Sequence, residues 1–176
     1  MCGSGTIVIE AALWANQKSG HFERDFAFKD LPSFNPKQFQ TLNLPDANPC
    51  KTKFYGFDRN AGAISNATAN AKRASIHVAC QFTQGAISDL QRPEGPTGLV
   101  LFNPPYGARI SNKAGLYALY QTMGSVLMSR FSGWRVGFVT TDQGLAKASK
   151  LPLLPPSRPI SHGGLKIRLF QTKPLP

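Results

Sequence analysis

Short apolar runs alternate with stretches of helical spacing along this chain, and that alternation constrains its fold more than any other feature. Phe54-Tyr-Gly-Phe-Asp58, His77 to Thr83, Leu99-Val-Leu-Phe102 and Arg135 to Thr141 read as buried strands. Asn60 to Arg73 and Gly115 to Phe131 carry apolar residues at helical spacing, and a helical turn is expected near Ile87 to Leu90. Thr6 to about Gln17 reads as a helix apolar on most sides, through Ile7, Ile9, Ala11, Leu13 and Trp14, with Gly20 able to end it. Leu165 to Thr172 sets Leu165, Ile167 and Leu169 against Lys166 and Arg168, which predicts a final, half-solvated strand. Strands alternating with helices belong to a layered α/β sheet that is mostly parallel, because parallel neighbours need a crossover between them.

Between His21 and Lys53 the pattern breaks. Pro32, Pro36, Pro45 and Pro49 punctuate the segment, and Phe22, Phe26, Phe28, Phe34 and Phe39 recur through it. A long excursion with one or two short helices is expected, its phenylalanines packed into the core more readily than exposed to stack on RNA. The 176 residues amount to about one domain, with 41% hydrophobic residues to fill it. Lys and Arg number 20 against 9 Asp and Glu, a formal charge of +11 that attracts polyanions such as nucleic acid. No apolar run approaches the ~18–20 residues that span a bilayer. The start has no basic stretch followed by an apolar one, so no secretory signal is expected. Cys2, Cys50 and Cys80 are odd in number and widely spaced, which fits reduced cytosolic thiols and neither a disulfide frame nor a zinc site. His21, His77 and His162 are scattered and are read as structural or surface residues.

Four segments carry candidate chemistry. Gly3-Ser4-Gly5-Thr6 opens the first helix, where glycines admit a close ligand and helix-start N–H groups favour anionic or carboxylate groups; the Gly-Lys-Ser/Thr of a P-loop is missing. Asp58 ends a strand, where an acid can accept hydrogen bonds from both ribose hydroxyls of a nucleoside or simply cap the next helix. Gln84-Gly85-Ala86 follows the next strand, where an adenine ring could lie. Asn103-Pro104-Pro105-Tyr106-Gly107 follows Phe102. Its prolines stiffen the backbone so that the Asn103 side chain and the Pro104 carbonyl can accept the two N–H bonds of an exocyclic amine. Tyr106 offers a flat face for a base, worth ~1–3 kcal/mol in stacking, and Gly107 leaves room beside it. Arg109 is placed to reach a substrate phosphate or to be solvated, and Lys166, Arg168 and Lys173 suit phosphate contacts or water.

The ordered series MCGSGT, YGFD, QGA and NPPYG resembles the class I S-adenosylmethionine-dependent methyltransferases. Within them the chain is similar to the RNA-modifying group that usually carries a THUMP RNA-binding domain, including bacterial large-subunit rRNA guanine-N2 methyltransferases. GARI, SGWRVGFVTTD and GLKIRLFQ extend the likeness over nearly the whole chain. The resemblance implies a Rossmann-like α/β sheet, mostly parallel with an antiparallel last strand. It implies one catalytic domain over residues 1–176, with a Pro/Phe-rich insertion at about 20–52. The family reads Asp-Pro before the methionine at which this chain begins, so the first strand and the THUMP domain are expected to be missing. Cys2, Gly3, Ser4, Gly5, Thr6, Asp58, Gln84, Ala86 and Asn103 would bind the cofactor. Asn103, Pro104, Pro105 and Tyr106 would carry catalysis, and Tyr106, Gly107 and Arg109 would bind the substrate. Where the family usually places an acid for the adenine amine this chain has Ala86, with Gln84 and Ser88 as polar neighbours able to compensate.

Direct methyl transfer to guanine N2 of an rRNA is thus expected, in the cytoplasm, with S-adenosylmethionine and no metal or membrane. NPPY also marks adenine-N6 enzymes and can hold a glutamine amide of a protein, although +11 favours nucleic acid over protein. A different class remains open: a non-catalytic RNA-binding fragment.

Overall fold

The computed structural model describes residues 1–16, 26–40, 51–105 and 113–176. They divide into two units, residues 2–84, and residue 1 with residues 85–176.

In the first unit β1 (Phe54–Asp58) and β2 (Cys80–Gln84) pair in parallel, and their register sets Asp58 opposite Gln84 at the carboxyl ends. The crossover between them is α3 (Ala61–Arg73). It starts at Asn60, whose side chain accepts from the Ala63 N–H at 3.2 Å, and it ends on Lys72 and Arg73, cations suited to a helix C-terminus. Before β1 comes α1 (Thr6–Ala15), which buries Ile9, Ala12 and Leu13 against Ala71 and Ile76 while Trp14 stays 87% exposed. Glycine is needed where α1 begins: a Cβ on Gly5 would lie 2.9 Å from the Ala67 Cβ and 3.1 Å from the Phe82 ring.

The segment between α1 and β1 holds a 3-10 turn (Ala27–Asp30) and α2 (Pro36–Gln40), matching the short helices expected there. Its described phenylalanines, Phe26, Phe28, Phe34 and Phe39, do not join the buried core clusters. Phe26 stacks on Phe28 at 5.3 Å, Phe34 and Phe39 meet Phe28 at 5.7 and 5.6 Å, and Phe28 remains 41% exposed. Four rings close in sequence satisfy one another, so the core expected to receive them does not.

In the second unit the strand order is β3-β4-β6-β5, made of β3 (Leu99–Phe102), β4 (Arg135–Thr140), β5 (Ile160–His162) and β6 (Leu165–Gln171). β3 and β4 are parallel, while β6 runs antiparallel to both β4 and β5. Phe102, Phe138 and Phe170 stack across β3, β4 and β6 with ring centroids 5.0 and 5.4 Å apart. Over them lies α4 (Lys113–Arg130), with Leu116, Tyr120, Met123 and Leu127 buried on one side of the helix. After β4, Asp142 caps α5 (Gln143–Ala148) by accepting from the Gly144 and Leu145 N–H groups at 2.7 and 3.3 Å. Among the described residues β1 and β3 each pair with a strand on one side only.

One strand boundary needs correction, and the structure adds detail at β6, α5 and β5. β2 starts at Cys80 and not at His77, because His77 to Ala79 form turns after α3 and Val78 is 75% exposed. β6 is the half-solvated last strand expected, and its buried residue is Phe170, on the Lys166 and Arg168 side, paired with Phe138. α5 and β5 were not foreseen, although Gly163-Gly164, with φ of 53° and 79°, closes the two-residue β5–β6 hairpin. Gly20, Phe22, Pro45, Pro49, Cys50 and His21 lie outside the described residues.

Gly124 brings α4 against the end of α5, where a Cβ would collide with the Ser149 carbonyl. Gly124→Ala is expected to cost about 1–3 kcal/mol, read as a lower urea midpoint. An unchanged midpoint would mean that α5 moves aside freely.

Candidate functional site

The loop Cys2–Thr6 is shaped by its glycines. Gly3 and Gly5 take φ of 56° and 84°, a left-handed backbone that costs glycine nothing. The Gly5 N–H closes the turn on the Cys2 carbonyl at 3.0 Å, and the Cys2 N–H reaches the Phe57 carbonyl of β1 at 3.0 Å. Among the described residues no side chain caps the start of α1, so none of them consumes its first N–H groups that way. Space also remains at Gly3, where a Cβ would meet nothing within 4 Å. The Ser4 and Thr6 hydroxyls lie 3.3 Å apart in one hydrogen bond.

Asp58 ties this loop to the strand end. One carboxylate oxygen accepts from the Gly3 N–H and the other from the Asn60 N–H, both at 3.0 Å. Burial pushes its pKa up, but the two backbone donors, from Asn60 and Gly3, help carry it below its ordinary value of 3.8. The group is therefore a fixed anion at neutral pH, a pure acceptor. Beside it Gln84 donates to the Arg59 carbonyl at 3.4 Å. Burial pushes the Cys2 and Cys80 thiols up, so both stay protonated near neutral pH.

Asn70 escaped the sequence reading. From the last turn of α3 its Nδ2 donates to the Ser4 carbonyl at 2.8 Å, while Arg73 donates to its Oδ1 and orients the amide. An Asn in an alanine-rich helix interior, where it competes with the backbone, is the signal that was available.

In the second unit Ala86 opens the 3-10 turn Ile87–Asp89, and its N–H donates to the Asp89 carboxylate at 3.3 Å. Ser88 Oγ donates to the same carboxylate at 3.1 Å. Gln84 and Ser88 both act here as donors, in bonds that use their hydrogens and not the acceptor oxygens that an amine would need in place of the missing acid. Asn103 stands exposed directly after β3, on a fully buried Pro104 and an exposed Pro105. Its base is firm, because Phe102 lies parallel to Phe138 within 7°. Tyr106, Gly107 and Arg109 lie outside the described residues. Among the described residues no cluster of His, Cys, Asp or Glu could hold a metal ion, and no helix is long and apolar enough to cross a membrane.

Residues 1–152 match the family described as RMKL-like, methyltransferase domain. The chain belongs to that family. A curated relative, ribosomal RNA large subunit methyltransferase K/L of Aliivibrio salmonicida (strain LFI1238), is 35% identical over 154 residues, which cover 82% of this chain and 22% of the relative. The chain therefore spans less than a quarter of that relative's length. A solved structure described as a possible methylase from Clostridium difficile 630 is 28% identical, with a TM-score of 0.85 over 100% of this chain and 47% of its own. Another, described as a predicted N6-adenine-specific DNA methylase from Listeria monocytogenes str. 4b F2365, is 28% identical with a TM-score of 0.79, covering 97% of this chain and 44% of its own. The fold is the Rossmann-like class I methyltransferase fold, its parallel strands followed by an antiparallel last one.

For this RMKL-like domain the Asp58 pin has a pH signature. A carboxylate whose folded pKa is depressed stabilises fully above its unfolded value, and that stability is lost as pH falls through the folded value. The gap in urea stability between the native chain and Asp58→Asn is expected to be constant from about pH 5 to 8 and to shrink below about pH 4. A gap that stays the same down to pH 3 would show that the charge does not hold the loop.

Proposed function

We propose that this RMKL-like domain transfers the methyl group of S-adenosylmethionine to an exocyclic amine of a base in RNA, guanine N2 of large-subunit rRNA. The observation that carries the reading is Asn103, an exposed amide held at the end of β3 on the buried ring of Pro104. Asn103 Oδ1 and the Pro104 carbonyl accept the two N–H bonds of the amine, which frees its lone pair to attack. Tyr106 stacks on the base, Gly107 leaves it room and Arg109 meets a phosphate. Alignment of this kind supplies most of the acceleration and asks for no strong base.

The residues present suit the cofactor. Asp58, an ionised acceptor, fits a pair of ribose hydroxyls, and the open side of Gly3 together with uncapped N–H groups of α1 fits the methionine end. Cys2, Ser4, Gly5 and Thr6 line that end, and Gln84, Ala86 and Asn103 complete the cofactor contacts. When bound, S-adenosylmethionine supplies an electrophilic methyl on a cationic sulfur. RNA as substrate is supported by the name of the curated relative and by a formal charge of +11. Guanine is supported by the sequence resemblance, a cytoplasmic setting by the spacing of the cysteines, and adenine N6 by the printed description of the Listeria protein. One domain over residues 1–176 with an insertion at about 20–52 remains our reading of its organisation.

Labelled S-adenosylmethionine and rRNA, digested to nucleosides after reaction, should put the label in N2-methylguanosine. Asn103→Ala should lower the rate about 100-fold, the scale of a misplaced reacting group. Label in N6-methyladenosine alone would replace guanine by adenine. Neither methylation nor cofactor binding by the wild-type chain would leave the RNA-binding fragment.

A further inference from the structure

Arg130, the last residue of α4, does more than end a helix. Its Nη1 donates to the Ser88 carbonyl and to the Leu90 carbonyl, both at 2.8 Å. These carbonyls flank Asp89 in the turn that follows Gln84-Gly85-Ala86. The turn has its own bonds, Asp89 N–H to the Ala86 carbonyl at 2.9 Å and Leu90 N–H to the Ile87 carbonyl at 3.3 Å. The Asp89 carboxylate folds back on the Ala86 N–H, and Ile87 and Leu90 pack against the same buried cluster as α4. A short 3-10 turn has few internal bonds to hold its shape. Two charge-assisted bonds from a half-buried guanidinium supply what it lacks, and they justify ordering a long side chain that would otherwise stay in water.

We infer that Arg130 is a positioning residue for cofactor recognition: it braces the turn 86–90 so that the turn's acceptors are held against the adenine ring. This rests on the methyl-transfer reading, in which Gln84-Gly85-Ala86 borders the adenine. With no acid at position 86, the adenine amine has to meet another acceptor of this turn, a carbonyl, Ser88 Oγ or the Asp89 carboxylate, and such acceptors discriminate only where the turn that carries them cannot move. Arg130 acts on this turn from 40 and 42 residues away in sequence, without touching the ligand.

The test is calorimetric binding of S-adenosylhomocysteine and of its deaminated, 6-oxo analogue to the wild-type chain, Arg130→Met, Arg130→Lys and Gly124→Ala. Arg130→Met should bind S-adenosylhomocysteine about 10-fold more weakly, the loss expected of hydrogen bonds from a charged donor. Its preference over the analogue should shrink towards unity. Arg130→Lys, which keeps the charge and can reach one carbonyl, should recover part of both. Gly124→Ala strains α4 elsewhere, so it should lower stability and leave the preference intact. Wild-type affinity and preference in Arg130→Met would overturn the inference, as would a loss of preference equal to that in Gly124→Ala. A wild-type chain that binds no S-adenosylhomocysteine would instead overturn the methyl-transfer reading, and the brace with it.

Discussion

The carboxylate of Asp58 holds the first unit's site together, because each of its oxygens is bound to a different piece of backbone. One takes the Gly3 N–H and fixes the glycine loop on the tip of β1; the other takes the Asn60 N–H and fixes the start of α3. A charged acceptor makes stronger bonds to backbone donors than a neutral one, which is why an acid suits this place better than an amide. The remaining ties work in the same direction. Asn70 holds the Ser4 carbonyl from α3, and Cys2 extends the ladder of β1 through the Phe57 carbonyl. Gly5 has to be glycine twice over, for its φ of 84° and for the approach of Ala67 and Phe82. The group proposed to meet the ribose is therefore also the group that builds the loop beside it.

The second unit anchors the end of β3 differently, with buried aromatic area where the first unit's loop uses charge. Phe102, Phe138 and Phe170 make a continuous stack across three strands, and offset aromatic pairs add to their burial ~0.5–1.5 kcal/mol each. Asn103 stands one residue beyond that stack and on a buried proline, so both neighbours in sequence are immobilised while the amide itself is exposed. A rigid base under an exposed polar group suits a residue whose task is to orient another molecule.

Much of this was legible in the sequence where the cause is local. The strand Leu99–Phe102 is read off its apolar run with the same bounds, and the role of Asn60 as a helix start follows from its place before an alanine-rich stretch. The site segments also stand out, since glycine pairs and Asn-Pro-Pro impose backbone geometry by themselves. Legibility fails where the cause is distant. Asn70 and Ser4 are 66 residues apart, and Arg130 and Ser88 are 42 apart; neither bond leaves a periodic trace. β6 is legible as a strand, but alternation shows two faces and not which one receives Phe138; the phenylalanines of 26–39 miss the core because a nearby ring competes with it for each of them. α5 and β5 are shorter than a reliable period, although the Gly163-Gly164 turn marks the hairpin.

The substitution at Ala86 then acquires a physical meaning. An acid that receives the adenine amine through its side chain tolerates a loose backbone, because the carboxylate can swing to meet its donor. With alanine there, the amine in the proposed reading is left to acceptors elsewhere on the turn, whose position is only as good as the turn that carries them. Asp89 and Arg130 close that turn from inside and outside, one on the Ala86 N–H and the other on the carbonyls of Ser88 and Leu90. Asp58 and Asn103-Pro104 follow a related pattern in the proposed reading: the polar side chain that meets the ligand stands on main chain fixed by its own hydrogen bonds or by a buried proline. Direct methyl transfer rewards that arrangement, since it asks the protein for position more than for reactivity.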